Sequence, residues 1–195
     1  MDMEKLIQIR SNDLKPKPGR VLIAEPLMDE FYFGRAVVLM IEHNDEGSFG
    51  VVMNKPTTTR FSQIIEGFPD FDADVFIGGP VQTDNLFFVH TLGDEIPGSD
   101  EIADGLFWGG DMEVISEMIS LKLLDKTRIR FFLGYSGWSP GQLEDELKRN
   151  AWVVSDTNQR LLMRTLPHKM WNVHLQRMGP AYDLWRRFPV NPDLN

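Results

Sequence analysis

The stretch from Leu133 to Trp152 concentrates charged, aromatic and glycine residues more densely than any other part of the chain. It places Ser136 in a strand–turn–helix order, which hydrolases use to present a nucleophilic serine. That nucleophile elbow needs glycine two residues before and two residues after the serine. Gly134 meets the first requirement, but Trp138 occupies the second position. We therefore interpret Gly134 and Gly137 as turn residues and expect the Ser136 hydroxyl to form a local hydrogen bond.

Metal and nucleotide chemistry have weak support in the sequence. The absence of cysteine excludes disulfides, thiolate metal sites and thiol nucleophiles. The four histidines are His43, His90, His168 and His174. None of them has the H-x-x-x-H or H-x-H spacing of metal ligands. The run Gly78-Gly79-Pro80 lacks the length and the lysine of a P-loop. We expect no metal site.

Composition is that of an ordinary globular protein. The 195 residues are 42% hydrophobic and 25% charged, enough for one sizeable core. The sequence contains no run of about 18 apolar residues, so we expect no transmembrane helix. The N-terminal stretch MDMEKLIQIRSND carries acidic residues and lacks a long apolar core, so we do not interpret it as a signal peptide. We expect a cytoplasmic protein without a membrane association.

The net charge of −9 opposes a general role in binding the DNA backbone, which requires a basic surface. Charge is uneven, however. Residues 61–121 contain thirteen Asp and Glu and no Lys or Arg, whereas residues 157–195 contain six Lys and Arg against two Asp. One interpretation is two surfaces of one domain; the other is a local basic patch for an acidic partner. A nucleic-acid role would require Arg160, Arg164, Lys169 and Arg177 to share an exposed face.

Hydrophobic patterning predicts many short strands followed by interspersed helices. Strands are predicted at 20–24, 35–43, 48–54, 75–77, 86–90, 105–108, 128–133 and 152–155. Helices are predicted around 4–10, 59–67, 111–124, 139–150, 167–178 and 181–188. This order favours an α+β fold with a largely antiparallel sheet over repeated βαβ units. We predict an N-terminal segment at 1–19, one domain at 20–188 and a loose tail at 189–195.

Two local predictions concern turns. Residues 44–47, between two apolar runs, predict a β-hairpin with a four-residue loop. Residues 134–138 predict a tight turn before a helix that Ser139 caps, with Pro140 at its first position and Gln142 completing a capping box. Within that helix, Glu144 has the spacing to pair with Lys148.

Four segments, RVLIAEP, HNDEGSFGVVMNKP, GGP and GYSGWSPGQLEDELKRNAW, occur in this order. Together they closely resemble the AlgH/YqgE family, also known as UPF0301 or DUF179, across roughly residues 18–180. The resemblance implies a bacterial cytosolic protein without a cofactor. It also implies an α+β fold whose bent sheet closes into a pseudo-barrel, flanked by helices. It implies no settled biochemical role, although one branch is named as a regulator of alginate synthesis.

The family motifs contain the candidate site residues. His43 could act in acid–base catalysis because imidazole titrates near neutral pH, and Glu144 could orient it. Lys55 could hold an anionic substrate, and the backbone N–H groups of Gly78 and Gly79 could form an anion nest. The other ligand-binding candidates are Asn44, Asn54, Trp138 and Gln142. Each candidate also has a structural interpretation as a turn, helix or strand-end residue.

Three functional classes remain open at this stage. The first is a regulatory or adaptor protein with a ligand-binding or protein-binding surface, which we favour. The second is a hydrolase-like enzyme that uses His43 and Glu144. The third is a transcription-linked regulator with a basic C-terminal patch. The sequence leaves open whether the partner is a protein or a small molecule, and whether the chain is a monomer or a homodimer.

Overall fold

The computed structural model describes residues 12–189. The predicted helix at 4–10 and almost all of the predicted tail lie outside this range. The strands are β1 (Val21–Ala24), β2 (Val37–Asn44), β3 (Gly47–Val52), β4 (Pro56–Arg60), β5 (Asp74–Ile77), β6 (Val81–His90), β7 (Asp100–Ala103), β8 (Leu106–Trp108), β9 (Ile129–Trp138) and β10 (Trp152–Ser155). The α-helices are α1 (Phe61–Ile64), α2 (Met112–Ser120), α3 (Gln142–Lys148), α4 (Gln159–Arg164), α5 (Pro167–Met178) and α6 (Asp183–Arg187). The predicted α+β class is confirmed.

The strands form one sheet that stays open. Its order is β10-β1-β2-β3-β9-β6-β8-β7, and β4 and β5 branch from β9. All strand pairs are antiparallel except β5 with β9. Within residues 12–189, β10 pairs only with β1 and β7 pairs only with β8, so both remain edge strands. The predicted closure into a pseudo-barrel is therefore not supported.

Strand β9 organises the sheet because it changes neighbours along its length. Its first half pairs in parallel with β5, from Val75–Phe131 to Ile77–Leu133. Its second half pairs with β3, from Gly50–Ser136 to Ser48–Trp138. The predicted turn at 134–138 is wrong, because the strand runs through it.

Gly134 lies where β9 changes neighbours. It has a φ of 69°, and a Cβ atom there would lie 2.6 Å from the carbonyl oxygen of Gly79. This glycine serves a close approach of two backbones and not a reversal of the chain.

Strands β1 and β2 are buried on both faces, which explains their continuous apolar runs. Val21 and Ile23 face the core formed with α4, α5 and α6, whereas Leu22 and Ala24 face the core formed with α3 and β10. Trp171 of α5 donates from Nε1 to the carbonyl oxygen of Ala24 at 2.8 Å, which fixes the helix to the sheet. A third core packs α1 and α2 against β5, β6 and β9.

The β2–β3 hairpin is shorter in its loop than predicted and carries a β-bulge. Asn44 pairs with Gly47, so the loop contains two residues and not four. Met40 pairs with Gly50 and Glu42 with Phe49, so Ile41 is an extra residue on β2. A bulge reverses the alternation of side chains along its own strand.

Several local predictions need correction. Helix α3 begins at Gln142 after Gly141, which has a left-handed φ of 77°, so Ser139 is not its N-cap. Half of the predicted capping box is present, since Gln142 Oε1 accepts the Ser139 N–H at 3.0 Å. Lys148 pairs with Asp145 at 2.8 Å and not with Glu144.

Strands β4 and β7 were missed, because both are short and rich in polar residues. By contrast, α5 has the predicted bounds, and Asp111 caps α2 as expected.

Candidate functional site

The two faces of the β2–β3 hairpin open into two different pockets. On one face lies a cleft of about 680 Å³, which we call the aromatic cleft. On the other face lies a pocket of about 440 Å³ that contains His43 and Glu144, which we call the histidine pocket. Glu42 and Asn44 line the first pocket and His43 lines the second, in keeping with the alternation of side chains along a strand.

The aromatic cleft has a half-buried aromatic floor. Its rings come from β3, β6, β8 and β9 and belong to Phe49, Phe87, Trp108 and Tyr135. Phe87 stacks on Trp108 at 5.5 Å between ring centroids with an interplanar angle of 14°. Tyr135 packs edge-on against both Phe49 and Phe87.

The rim of the cleft is acidic. Its charged lining residues within 12–189 are Glu42 and Glu46, and no Lys or Arg lines it. Asn44 of this rim donates to Glu42 and accepts the Glu46 N–H, so it shapes the hairpin loop and also lines the cleft. Aromatic faces beside carboxylates form a favourable environment for an organic cation.

Three groups that can transfer protons follow one another at the hairpin: His43 and Glu144 line the histidine pocket, and Ser48 lines the aromatic cleft. His43 Nδ1 lies 2.7 Å from the Ser48 hydroxyl, its cross-strand neighbour. His43 Nε2 lies 3.7 Å from a carboxylate oxygen of Glu144, on α3. The structure thus brings together the two residues proposed from the sequence and adds Ser48. A hydroxyl, an imidazole and a carboxylate in this order form the arrangement of a nucleophile, a base and an orienting acid.

Trp138 and Gln142 meet at a carboxylate that ties α3 to the sheet. Glu146 Oε2 accepts from Nε1 of Trp138 and Nε1 of Trp152, each at 2.8 Å, and its Oε1 accepts from Gln142 at 2.9 Å. Trp138 is only 6% exposed and Trp152 only 1%. The indole of Trp138 therefore has a structural partner.

Asn54 and Lys55 lie away from His43. The Asn54 side chain accepts the Val37 N–H and donates to the Arg35 carbonyl, each at 2.9 Å, at the opposite end of β2. Six residues of strand separate Val37 from His43, roughly 20 Å. Lys55 follows Asn54, and burial lowers the pKa of its amino group. Of the candidates His43, Glu144, Asn54 and Lys55, only the first two therefore lie together.

The two consecutive glycines serve close packing. A Cβ atom on Gly78 would lie 2.1 Å from the Gly134 carbonyl oxygen, and one on Gly79 would lie 2.3 Å from that of Tyr135. The Gly78 N–H donates to the Leu133 carbonyl at 2.8 Å, so it is not free for an anion. The Ser136 hydroxyl is fully buried and donates to the Gly78 carbonyl at 3.0 Å. This partner lies 58 residues away in the chain, so the local bond expected from the sequence is wrong.

His90 and His174 are buried structural residues. His90 Nδ1 accepts the Leu92 N–H at 3.2 Å, and burial lowers its pKa. His174 Nδ1 donates to the Met170 carbonyl at 2.9 Å, and burial lowers its pKa as well. Among residues 12–189, no three His, Asp or Glu side chains lie together as potential metal ligands.

The four basic residues that a nucleic-acid role would require, Arg160, Arg164, Lys169 and Arg177, are all exposed. Arg160 and Arg164 lie one turn apart on α4 and line a pocket of about 540 Å³ with Arg128. Lys169 and Arg177 lie on α5.

Sequence reasoning missed Ser48 and the aromatic floor. Ser48 follows a glycine in a hairpin, where its side chain had no assigned partner. The aromatic residues come from four strands, and only the pairing of β6 with β8 and β9 brings them together. The one signal available in the sequence was the two-residue alternation of side chains along a strand. This alternation places Phe49 on the face of the hairpin opposite His43.

The fold and these pockets define an α+β protein with an open, mostly antiparallel sheet and a pocket on each face of one hairpin. In the described residues, no helix has the length and apolar character needed to span a membrane. Residues 21–183 match the profile of the DUF179 family, described as AlgH-like. The chain belongs to this family, as its motifs indicated.

Relatives of similar length support this assignment. The chain is 42% identical to a UPF0301 protein of Bacteroides fragilis over 191 residues, or 97% of each chain. It is 39% identical to a UPF0301 protein of Chlorobium limicola over 181 residues, which cover 93% of this chain and 97% of the relative.

Two solved structures share the fold. The solution structure of AlgH from Pseudomonas aeruginosa has a TM-score of 0.71 and 27% identity, covering 91% of this chain and 98% of that one. The crystal structure of a protein from Corynebacterium diphtheriae has a TM-score of 0.76 at 24% identity, covering 94% and 97%.

Proposed function

We propose that this protein is a regulatory or adaptor protein of the bacterial cytosol that binds a small organic cation in the aromatic cleft. The observation that carries this proposal is the combination of four half-buried aromatic rings with a rim on which every charged residue is acidic. A cleft of about 680 Å³ has the size of a small-molecule site. A cation would exchange its hydration for aromatic faces and two carboxylates.

The ligand class follows from charge as well as shape. Glu46 is exposed, and its carboxylate has no hydrogen-bond or ion-pair partner among residues 12–189, so it is free to pair with a cation. An anionic ligand would meet two carboxylates and no compensating base. A neutral apolar ligand would fill the floor but gain nothing from the rim.

Choline and its neutral isostere 3,3-dimethyl-1-butanol test this proposal by tryptophan fluorescence and calorimetry. Choline should bind, and Trp108→Ala should weaken it by about tenfold, because a desolvated cation–π contact contributes about 1–2 kcal/mol. Glu42→Gln should weaken choline alone. Glu117→Gln, an exposed position on α2, is the matched control. Equal affinity for the isostere, or unchanged binding in Trp108→Ala, would refute the proposal.

A second candidate function is hydrolysis in the histidine pocket, favoured by the alignment of Ser48, His43 and Glu144. The Ser48 oxygen would attack an ester carbonyl and pass its proton to His43, and the alcohol would leave with that proton, which leaves Ser48 acylated. A water molecule, deprotonated by His43, would then attack the acyl group, release the acid and restore the Ser48 hydroxyl. Turnover of p-nitrophenyl acetate should then fall in Ser48→Ala, His43→Ala and Glu144→Ala. If Ser48→Ala and His43→Ala both retain the wild-type rate, any turnover belongs elsewhere and this candidate is excluded.

A further inference from the structure

Arg130 is a buried cation in the central strand of the sheet. Arg130 is 9% exposed, and its guanidinium carbon lies 4.4 Å from the centre of the Phe76 ring. Its Nη1 donates to the Met53 carbonyl at 2.8 Å, the single hydrogen bond that the Arg130 side chain forms within residues 12–189. A buried charge normally requires a paired carboxylate. None of the ion pairs within that range includes Arg130.

The guanidinium opens into a small pocket. Arg130 lines a space of about 190 Å³, together with Phe76 and Ile129. Within residues 12–189, the Nε and Nη2 atoms of Arg130 form no hydrogen bond. The side-chain atoms there that are both fully buried and unpaired do not include these two. Solvent therefore reaches these two atoms. A guanidinium with two free N–H donors can bind a carboxylate through two parallel hydrogen bonds.

Both carboxylates at the mouth of this pocket form ion pairs with other cations, and the charge of Asp74 acts on Arg130 from beyond ion-pair distance. Arg60 pairs with Asp74, and Lys126 pairs with Asp72 at 3.0 Å. All four residues line the pocket with Arg130, so three cations face two carboxylates and one positive charge remains. Burial lowers the pKa of Arg130 to about 10, which still leaves it charged at neutral pH. One uncompensated positive charge matches one negative charge on a ligand.

We propose that this pocket, which we call the Arg130 pocket, binds a small monocarboxylate through the Nε and Nη2 atoms of Arg130. The volume is below the roughly 300 Å³ of drug-sized sites, so it fits an acid of the size of acetate or propionate. Phe76 and Ile129 provide an apolar wall for a short alkyl group. A divalent anion such as phosphate is disfavoured by Asp72 and Asp74 at the mouth.

This site is independent of the proposed cation cleft. The Arg130 pocket uses the first half of β9, whereas the aromatic cleft uses Tyr135 and Gly137 in the second half. The two ligands carry opposite charges, so the failure of one proposal leaves the other standing.

Side-chain NMR of arginine tests the site directly. In ¹⁵N-labelled protein, sodium acetate should shift the Arg130 Nε–Hε resonance saturably, and sodium chloride at equal ionic strength should not. Sodium phosphate should shift it less than acetate does. An unmoved Arg130 resonance, or equal shifts with chloride, would overturn the proposal.

Two variants and a control complete the design. Arg130→Lys keeps the charge but removes the planar fork, so acetate affinity should fall by about tenfold. Asp74→Asn leaves Arg130 intact and removes one competing carboxylate, so acetate should bind more tightly; this variant gives an independent result if Arg130→Lys does not fold. Arg128→Gln is the control, because Arg128 pairs with Glu95 and does not line the pocket. An equal loss in Arg128→Gln, or unchanged affinity in Asp74→Asn, would contradict the assignment.

Discussion

Removing the Glu146 carboxylate should destabilise the protein far more than removing its neighbour Glu144. Glu146 is half-buried and accepts hydrogen bonds from the indole nitrogens of Trp138 and Trp152, which hold α3 against β9 and β10. Glu146→Ala leaves two buried N–H donors without an acceptor. Each such loss costs about 1–3 kcal/mol, so we expect a decrease of about 2–6 kcal/mol in the free energy of unfolding.

Urea unfolding followed by far-UV circular dichroism and tryptophan fluorescence would measure this change. Glu146→Gln keeps one acceptor oxygen and should lose less stability than Glu146→Ala. Glu144→Gln is the matched control: it lies on the same helix, is exposed and contacts His43 only at 3.7 Å, so a change within about 0.5 kcal/mol is expected. If Glu146→Ala were as stable as Glu144→Gln, the two indole bonds would not support α3 and this reasoning would be refuted.

Two further predictions concern His90 and Gly78. Burial holds the His90 pKa below its ordinary value. The unfolded chain therefore takes up a proton first, and the contribution of neutral His90 to stability, complete above about pH 6.5, is lost as the pH falls below it. Urea midpoints measured from pH 7 to pH 5 should decline less steeply in His90→Gln than in the wild type, and exposed His168→Gln should keep the wild-type slope. Gly78→Ala places a methyl group 2.1 Å from the Gly134 carbonyl oxygen, and thermal unfolding should show a loss of about 3 kcal/mol or more. Gly137→Ala, which also lacks a left-handed φ and whose methyl group would come no nearer than 3.4 Å to Tyr135, separates this clash from the backbone effect of losing glycine.

The sequence predicted elements that depend on local pattern and missed those that depend on distant partners. The helix at Pro167–Met178 and the strand at Trp152–Ser155 have the predicted bounds, because their apolar periodicity is strong. Gly134 was interpreted as a turn because a glycine inside a strand has the same local appearance as one in a turn. Glycine is required at position 134 because the backbone of Gly79, which is 55 residues away in the chain, approaches it closely.

The candidate site shows the same division. The motif residues His43 and Glu144 lie close together, whereas Asn54 serves the start of β2. The aromatic cleft could not be anticipated, because its floor depends on the order of strands in the sheet. Trp108 reaches Phe87 only through the pairing of β8 with β6.

The extra residue Ile41 decides which chemistry each face of the hairpin presents. Val37 and Leu39 face the core below α5, and strict alternation from them would direct His43 to that same face, into the aromatic cleft. The bulge reverses the order, so His43 faces Glu144 while Glu42 joins the aromatic rings. Deleting this one residue would exchange an imidazole and a carboxylate between two pockets without altering either side chain. The separation of the acidic aromatic cleft from the histidine pocket is thus encoded in a single backbone insertion.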